Sequence, residues 1–109
     1  MTNAFNDVHV VGMHFREREG VPAKQIVASF VPPVVCQLER QYDNAFDEYA
    51  IKVLYGGQHI GFLAASSACF IAPEMDLDPD TPWTATVESF HTAKSNLYPV
   101  ATVAPALPE

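Results

Sequence analysis

Residues 50–63 read AIKVLYGGQHIGFL, and this stretch limits the fold more than any other in the chain. Its residues alternate with a period of two, the spacing of a strand with one buried face. Ile51, Val53 and Tyr55 share one face, and Ala50, Lys52 and Leu54 the other. Gly56-Gly57 falls where a tight hairpin turn needs positive φ, which glycine adopts without steric cost. QHIGFL then returns as the partner strand. Gly61 inside it implies a bulge or the close approach of another backbone. A short antiparallel hairpin is expected here, and other strands must cover its apolar face.

Further strand-like runs surround it. VHVVGMHF (Val8–Phe15), KQIVASF (Lys24–Phe30) and VVCQLER (Val34–Arg40) precede the hairpin, and WTATVESFHT (Trp83–Thr92) and LYPVATV (Leu97–Val103) follow it. Charges with Gly20 and Pro22 end the first run, Pro32 and Pro33 the second, since proline cannot donate to a ladder. Ala64–Met75 is the one good helix candidate, because Leu63, Ala68, Ile71 and Met75 fall near helical spacing. Ser66 or Ser67 could cap its start, and Pro73 should kink or end it. The expected class is mostly β with one short helix. About six short strands separated by turns suggest a small barrel or sandwich. The 109 residues fit a single domain, with a core from about Val8 to Val103. The proline-rich tail APALPE is expected to fray.

Hydrophobic residues make up 49% of the chain, enough for a real core. The net charge of −7 disfavours generic attraction to nucleic acid or anionic membranes, so any nucleic-acid contact must be local or supported by a partner. Cys36 and Cys69 are too few for a disulfide scaffold or a cysteine-based zinc site, and both are expected to be buried. The N-terminus lacks the basic and apolar regions of a signal peptide, and no apolar run is long enough to span a membrane. The cytoplasm is the default expectation. DLDPD resembles a calcium loop only superficially, because its sixth and twelfth positions, Thr81 and Val87, lack the Gly and Glu that an EF-hand needs. His9, His14, His59 and His91 show no metal-binding spacing, and no serine sits in a nucleophile-elbow setting. Neither an enzyme nor a cofactor or metal site is expected.

The segment DNAFD, Asp43–Asp47, is unusually polar for the approach to a strand. One reading is an Asx-type turn, with Asp43, Asn44 and Asp47 bonding nearby backbone and Phe46 anchored in the core. The other is a binding site.

LERQYDNAFDEYAIKVLYGGQHIGFLAASSACFIAPEMD, together with the upstream VVGMHFR, resembles the HIRAN domain family in the order and spacing of several motifs. The likeness runs from about Val10 to Asp76. It implies a small OB-like β-barrel, found alone or fused to helicase-like remodellers, that holds the free 3′ end of single-stranded DNA. Carried onto this chain, Phe15 on the first strand and Phe46 in the loop would stack on bases, each worth about 1–3 kcal/mol. Asp47 would accept a hydrogen bond from the terminal 3′-hydroxyl, and Asn44 matches a polar position of the same loop. His14 occupies a basic position of the family. Arg16, Lys52 and Arg40 are the candidate sources of charge. Phe62, Ala64 and Ala65 stand where the family can carry histidine and lysine. The connection from Arg16 to Val34 is longer than the family pattern. The implied partners are a single-stranded DNA end and a helicase, nuclease or other protein of a nucleoprotein complex. The acidity favours an alternative, a protein-binding module or DNA mimic.

Overall fold

The computed structural model describes residues 4–106. Six strands form one closed antiparallel barrel in the order β1-β4-β3-β2-β5-β6. They are β1 (Phe5–Val11), β2 (Val34–Arg40), β3 (Ile51–Tyr55), β4 (Gln58–Leu63), β5 (Trp83–Ala93) and β6 (Asn96–Pro105). Three helices interrupt them: α1 (Met13–Arg18), α2 (Ala23–Ala28) and α3 (Ala65–Leu77). The described residues are mostly β, as expected, but they form three helices rather than one.

The alternation read from the sequence is the alternation of the barrel wall. Ile51 and Val53 point inward, as do Trp83, Ala85 and Val87 on β5, while Lys52, Thr84 and Thr86 stay partly exposed between them. Val8, Val10, Cys36, Ile60 and Val103 complete the same apolar cluster. Gly56 and Gly57 both have positive φ (57° and 82°), as the tight turn between β3 and β4 requires. The β5–β6 turn uses Lys94 and Ser95 in the same left-handed region.

Two strand assignments are corrected. The run Val8–Phe15 does not stay extended: Gly12 adopts φ 84°, turns the chain out of the sheet, and becomes the N-terminal boundary of α1. Phe15 therefore stands on a helix, not on the first strand. The run Lys24–Phe30 is largely helical instead of extended. Ala23, Ile26, Val27 and Phe30 recur at i, i+3, i+4 and i+7, so the helical period outweighs the β preference of Ile26 and Val27. α1 and α2 pack on each other and on β4, occupying the long connection before β2.

α3 buries Ala68, Ile71, Ala72 and Met75 and continues through Pro73 to Leu77. Burial of that face holds the helix despite the missing N–H of an exposed proline. Neither Ser66 nor Ser67 caps the helix: Ala64 is the capping residue, and its carbonyl accepts the amides of Ser67 and Ala68. Cys36 is buried, but Cys69 is only partly so. The ordered sheet is also longer than the expected core, because β1 starts at Phe5 and β6 runs to Pro105. The remainder of the tail expected to fray, 107–109, lies outside the described residues.

Gly61 justifies both readings made of it. The β3–β4 register shifts between Val53 and Leu54, and a Cβ on Gly61 would lie 2.5 Å from the backbone oxygen of Val11. Met13 and Val10 crowd the same point at 3.3 Å. Gly61→Ala is expected to destabilise the protein by about 2–3 kcal/mol, because the obstruction is backbone that cannot rotate away. Chemical denaturation of the two proteins measures this directly.

Candidate binding groove

The loop between β2 and β3 is held from within and from behind. Asn44 forms an Asx turn: its Oδ1 accepts the amides of Phe46 (2.8 Å) and Asp47 (2.9 Å), and its Nδ2 donates to Gln41 Oε1 at 3.1 Å. Asp47 Oδ1 accepts the amide of Tyr49 at 2.9 Å. Behind the loop, the Arg40 guanidinium donates to the carbonyls of Ala50 (2.8 Å) and Glu48 (3.1 Å). It also forks onto Asp76 of α3, with Nε to Oδ1 at 3.0 Å and a second nitrogen to Oδ2 at 3.2 Å. Tyr42 lies under the guanidinium at 4.5 Å and donates its hydroxyl to Asp76 Oδ1 at 2.9 Å. Arg40 is thus committed to structure. Four of its five N–H donors are bonded, and its side chain is only 8% exposed, so it offers little open charge to a ligand.

The backbone of the loop is fixed, yet its aromatic is not packed. Phe46 is 100% exposed, so the core-anchor reading of this ring is wrong, although the Asx turn is real. Phe15 on α1 is 53% exposed, with His14 tilted against it at 4.2 Å and Arg18 over its ring at 5.5 Å. These two rings, with Asn44 and Phe62, line two adjoining hollows of about 690 and 830 Å³. Asp47 and His14 belong to the first hollow, and Arg16 and Lys52 to the second. All eight residues singled out from the sequence, His14, Phe15, Arg16, Asn44, Phe46, Asp47, Lys52 and Phe62, therefore meet along one groove. Three separate segments bring them there: the start of α1, the β2–β3 loop and the β3–β4 hairpin.

Their charges are unevenly available. Arg16 is paired with Glu19 at 3.0 Å, and its Nε donates to the carbonyl of His59 at 2.8 Å. Lys52 sits directly across from Phe62 in the β3–β4 register and is partly exposed. His59 packs edge-on against Phe62 at 4.7 Å. Burial, reinforced by the nearby Arg16 charge, lowers its pKa, and its Nε2 is buried without a partner among the described residues.

The sequence reading missed His9, His91 and Tyr98 in the first hollow and Gln41 and Glu19 in the second. Barrel closure brings β1, β5 and β6 beside the loop, and no local motif signals that. Among the described residues, no group of three His, Cys, Asp or Glu side chains is placed to hold a metal ion, and no helix is long and apolar enough to cross a membrane.

Comparison with known proteins places this geometry in a fold. No family model matches the chain, and no curated protein does. A crystal structure of a Lactobacillus plantarum protein is similar at TM-score 0.68 and 22% identity, covering 97% of this chain and 98% of that one. The HIRAN domain of human HLTF is similar at TM-score 0.62 and 20% identity, covering 94% of this chain and 74% of that one. The fold is HIRAN-like. At 22% and 20% identity the likeness is one of fold, and the groove is described by this chain's own side chains.

The Arg40 cluster makes a pH prediction. The hydrogen bond from Arg40, with a further one from Tyr42, holds the Asp76 carboxyl below its ordinary value of 3.8. A carboxyl with a depressed folded-state pKa contributes stability above its unfolded value and loses it as the pH falls through the folded one. Asp76→Asn should therefore flatten the loss of stability below about pH 4 in acid-unfolding curves. Arg40→Met, which leaves two loop carbonyls and a carboxylate without their donor, is expected to cost about 2–4 kcal/mol. It should also raise amide exchange across Asn44–Tyr49.

Proposed function

We propose that this protein is a non-catalytic module that holds the free 3′ end of single-stranded DNA in the groove between α1 and the β2–β3 loop. The observation that carries the reading is the pairing of a fully exposed Phe46 with a half-exposed Phe15 across one groove, beside the Asp47 carboxylate. Exposed phenyl rings on a fixed scaffold favour stacking on bases of any sequence. Asp47 keeps its Oδ2 without a hydrogen bond among the described residues, so it can accept one from a terminal hydroxyl. The same carboxylate would repel a phosphate continuing the strand, which turns binding into recognition of an end. Asn44 fixes the loop, Phe62 floors the groove and Lys52 offers a cation to the backbone. The HIRAN-like fold supports this reading through the resemblance of the loop and hairpin motifs to that family. In a cell the module would serve a helicase, a nuclease or another member of a nucleoprotein complex.

A second reading is favoured by the charge. The chain carries −7, Arg16 is ion-paired and Arg40 is bonded to Asp76 and two loop carbonyls, so the open cationic surface is small. An acidic module of this kind could instead dock on a basic protein, and retention of nucleic acid alone in a pull-down from the native host would contradict that.

The strand-end reading is tested with labelled oligonucleotides at low salt. Wild-type protein should bind a strand ending in a 3′-hydroxyl more tightly than the same strand ending in a 3′-phosphate. Phe46→Ala should weaken binding roughly 5- to 150-fold, the range of one lost stacking contact. Asp47→Asn should reduce the discrimination between the two ends more than it reduces affinity for the phosphorylated one. Equal binding of the two ends by wild-type protein would overturn the end-recognition role.

A further inference from the structure

The hollow beside Asp47 has an unusual charge inventory. Among the described residues, no lysine or arginine lines it, yet His9, His14 and His91 do. His9 of β1 and His91 of β5 meet edge to face, with ring centroids 5.3 Å apart. Neither imidazole carries a hydrogen bond among the described residues, and His91 is exposed. Tyr98 of β6, paired with His91 in the β5–β6 register, stands beside them. Asp47 is the only carboxylate lining the hollow among the described residues. Beyond His14 lies Lys24 of α2, in a small side hollow shared with Tyr98. The other half of the groove holds His59, Lys52 and the Arg16–Glu19 pair. The half of the groove nearest the proposed hydroxyl acceptor therefore has no permanent cation in its wall, and only imidazoles there can become cationic.

We propose that the His9–His91 pair is an anion subsite that takes a backbone phosphate of the bound strand, so that ligand binding is coupled to proton uptake. This rests on the strand-end reading for the identity of the anion. Two imidazoles at 5.3 Å repel each other when both are protonated, and an anion held beside the pair offsets that repulsion. Each protonated ring then presents an N–H to a phosphate oxygen as a charge-assisted donor. Charge-assisted donation to an anion requires both imidazoles to be protonated, so occupancy of the subsite rises on acidification. The charge that this groove lacks at Phe62, Ala64 and Ala65 is thereby supplied conditionally from the neighbouring strand β1 and from β5.

Two measurements separate the subsite from the strand-end reading. In the first, a labelled oligothymidylate with a free 3′-hydroxyl, and its 3′-phosphorylated counterpart, are titrated at about pH 5.5 and about pH 8. Affinity for the hydroxyl-ended strand should rise about tenfold at the lower pH, and His9→Gln/His91→Gln, or His91→Gln alone, should remove most of that rise. In the second, tripolyphosphate, which has no base and no 3′ end, is added while the imidazole resonances are followed. His9 and His91 should shift at the lower pH and not at the higher. If the strand binds with 3′-hydroxyl preference but equally at both pH values, the subsite is wrong and the strand-end reading stands. If tripolyphosphate shifts the pair while neither strand end is preferred, the subsite stands without it. Silence of the pair toward both ligands at the lower pH overturns the subsite.

Discussion

The Arg40 guanidinium is the point on which the groove depends. It leaves the end of β2 and reaches three pieces of chain at once: the carbonyls of Glu48 and Ala50 in the loop, Asp76 on α3, and the ring of Tyr42. A planar fork with fixed donor directions can satisfy all of these together, which a lysine ammonium on a flexible stem cannot. The result is a loop whose backbone is bonded front and back while one of its side chains, Phe46, stays fully exposed. Exposing a whole phenyl ring forgoes burial worth about 1.5–3 kcal/mol, and the surrounding hydrogen bonds allow the fold to carry that cost. Rigidity of the backbone and exposure of the ring are two consequences of one arrangement.

Positions governed by local rules were legible in the sequence. Gly56-Gly57 forced a turn, the alternation of Ile51 and Val53 set an inner face, and Gly61 announced a close backbone approach that proves to be Val11. Positions where two periods compete were not. Around Ile26 and Val27, β-branched residues suggested a strand while the spacing of Ala23, Ile26, Val27 and Phe30 obeyed a helix, and the helical spacing prevailed. At Gly12 a single left-handed residue ended a strand whose composition would have continued it into Phe15. Pro73 failed to stop α3 because burial of Ile71, Ala72 and Met75 outweighs one lost hydrogen bond.

The candidate site divides along the same line. Phe15, Phe46, Asp47 and their neighbours could be named because they fall in the motifs that resemble the HIRAN family, and the barrel gathers them into one groove. His9, His91 and Tyr98 could not, since they come from strands that meet the loop only when the barrel closes. Charge was legible as a total and not as a distribution. The formal sum of −7 hides that two of the six basic residues, Arg16 and Arg40, are spent on internal ion pairs. It also hides that the chain's four histidines all face the groove.

The proposed reading assigns the exposed phenyl rings of the groove to base stacking and the Asp47 carboxylate to a terminal hydroxyl. The most direct measurement is the map of backbone amide shifts on adding a short single-stranded oligonucleotide with a free 3′-hydroxyl at low salt. The account predicts shifts concentrated at Phe15, Asn44–Asp47 and Phe62, with the outer face of α3 around Phe70 unchanged. Shifts centred on α3, or none in the β2–β3 loop, would contradict it.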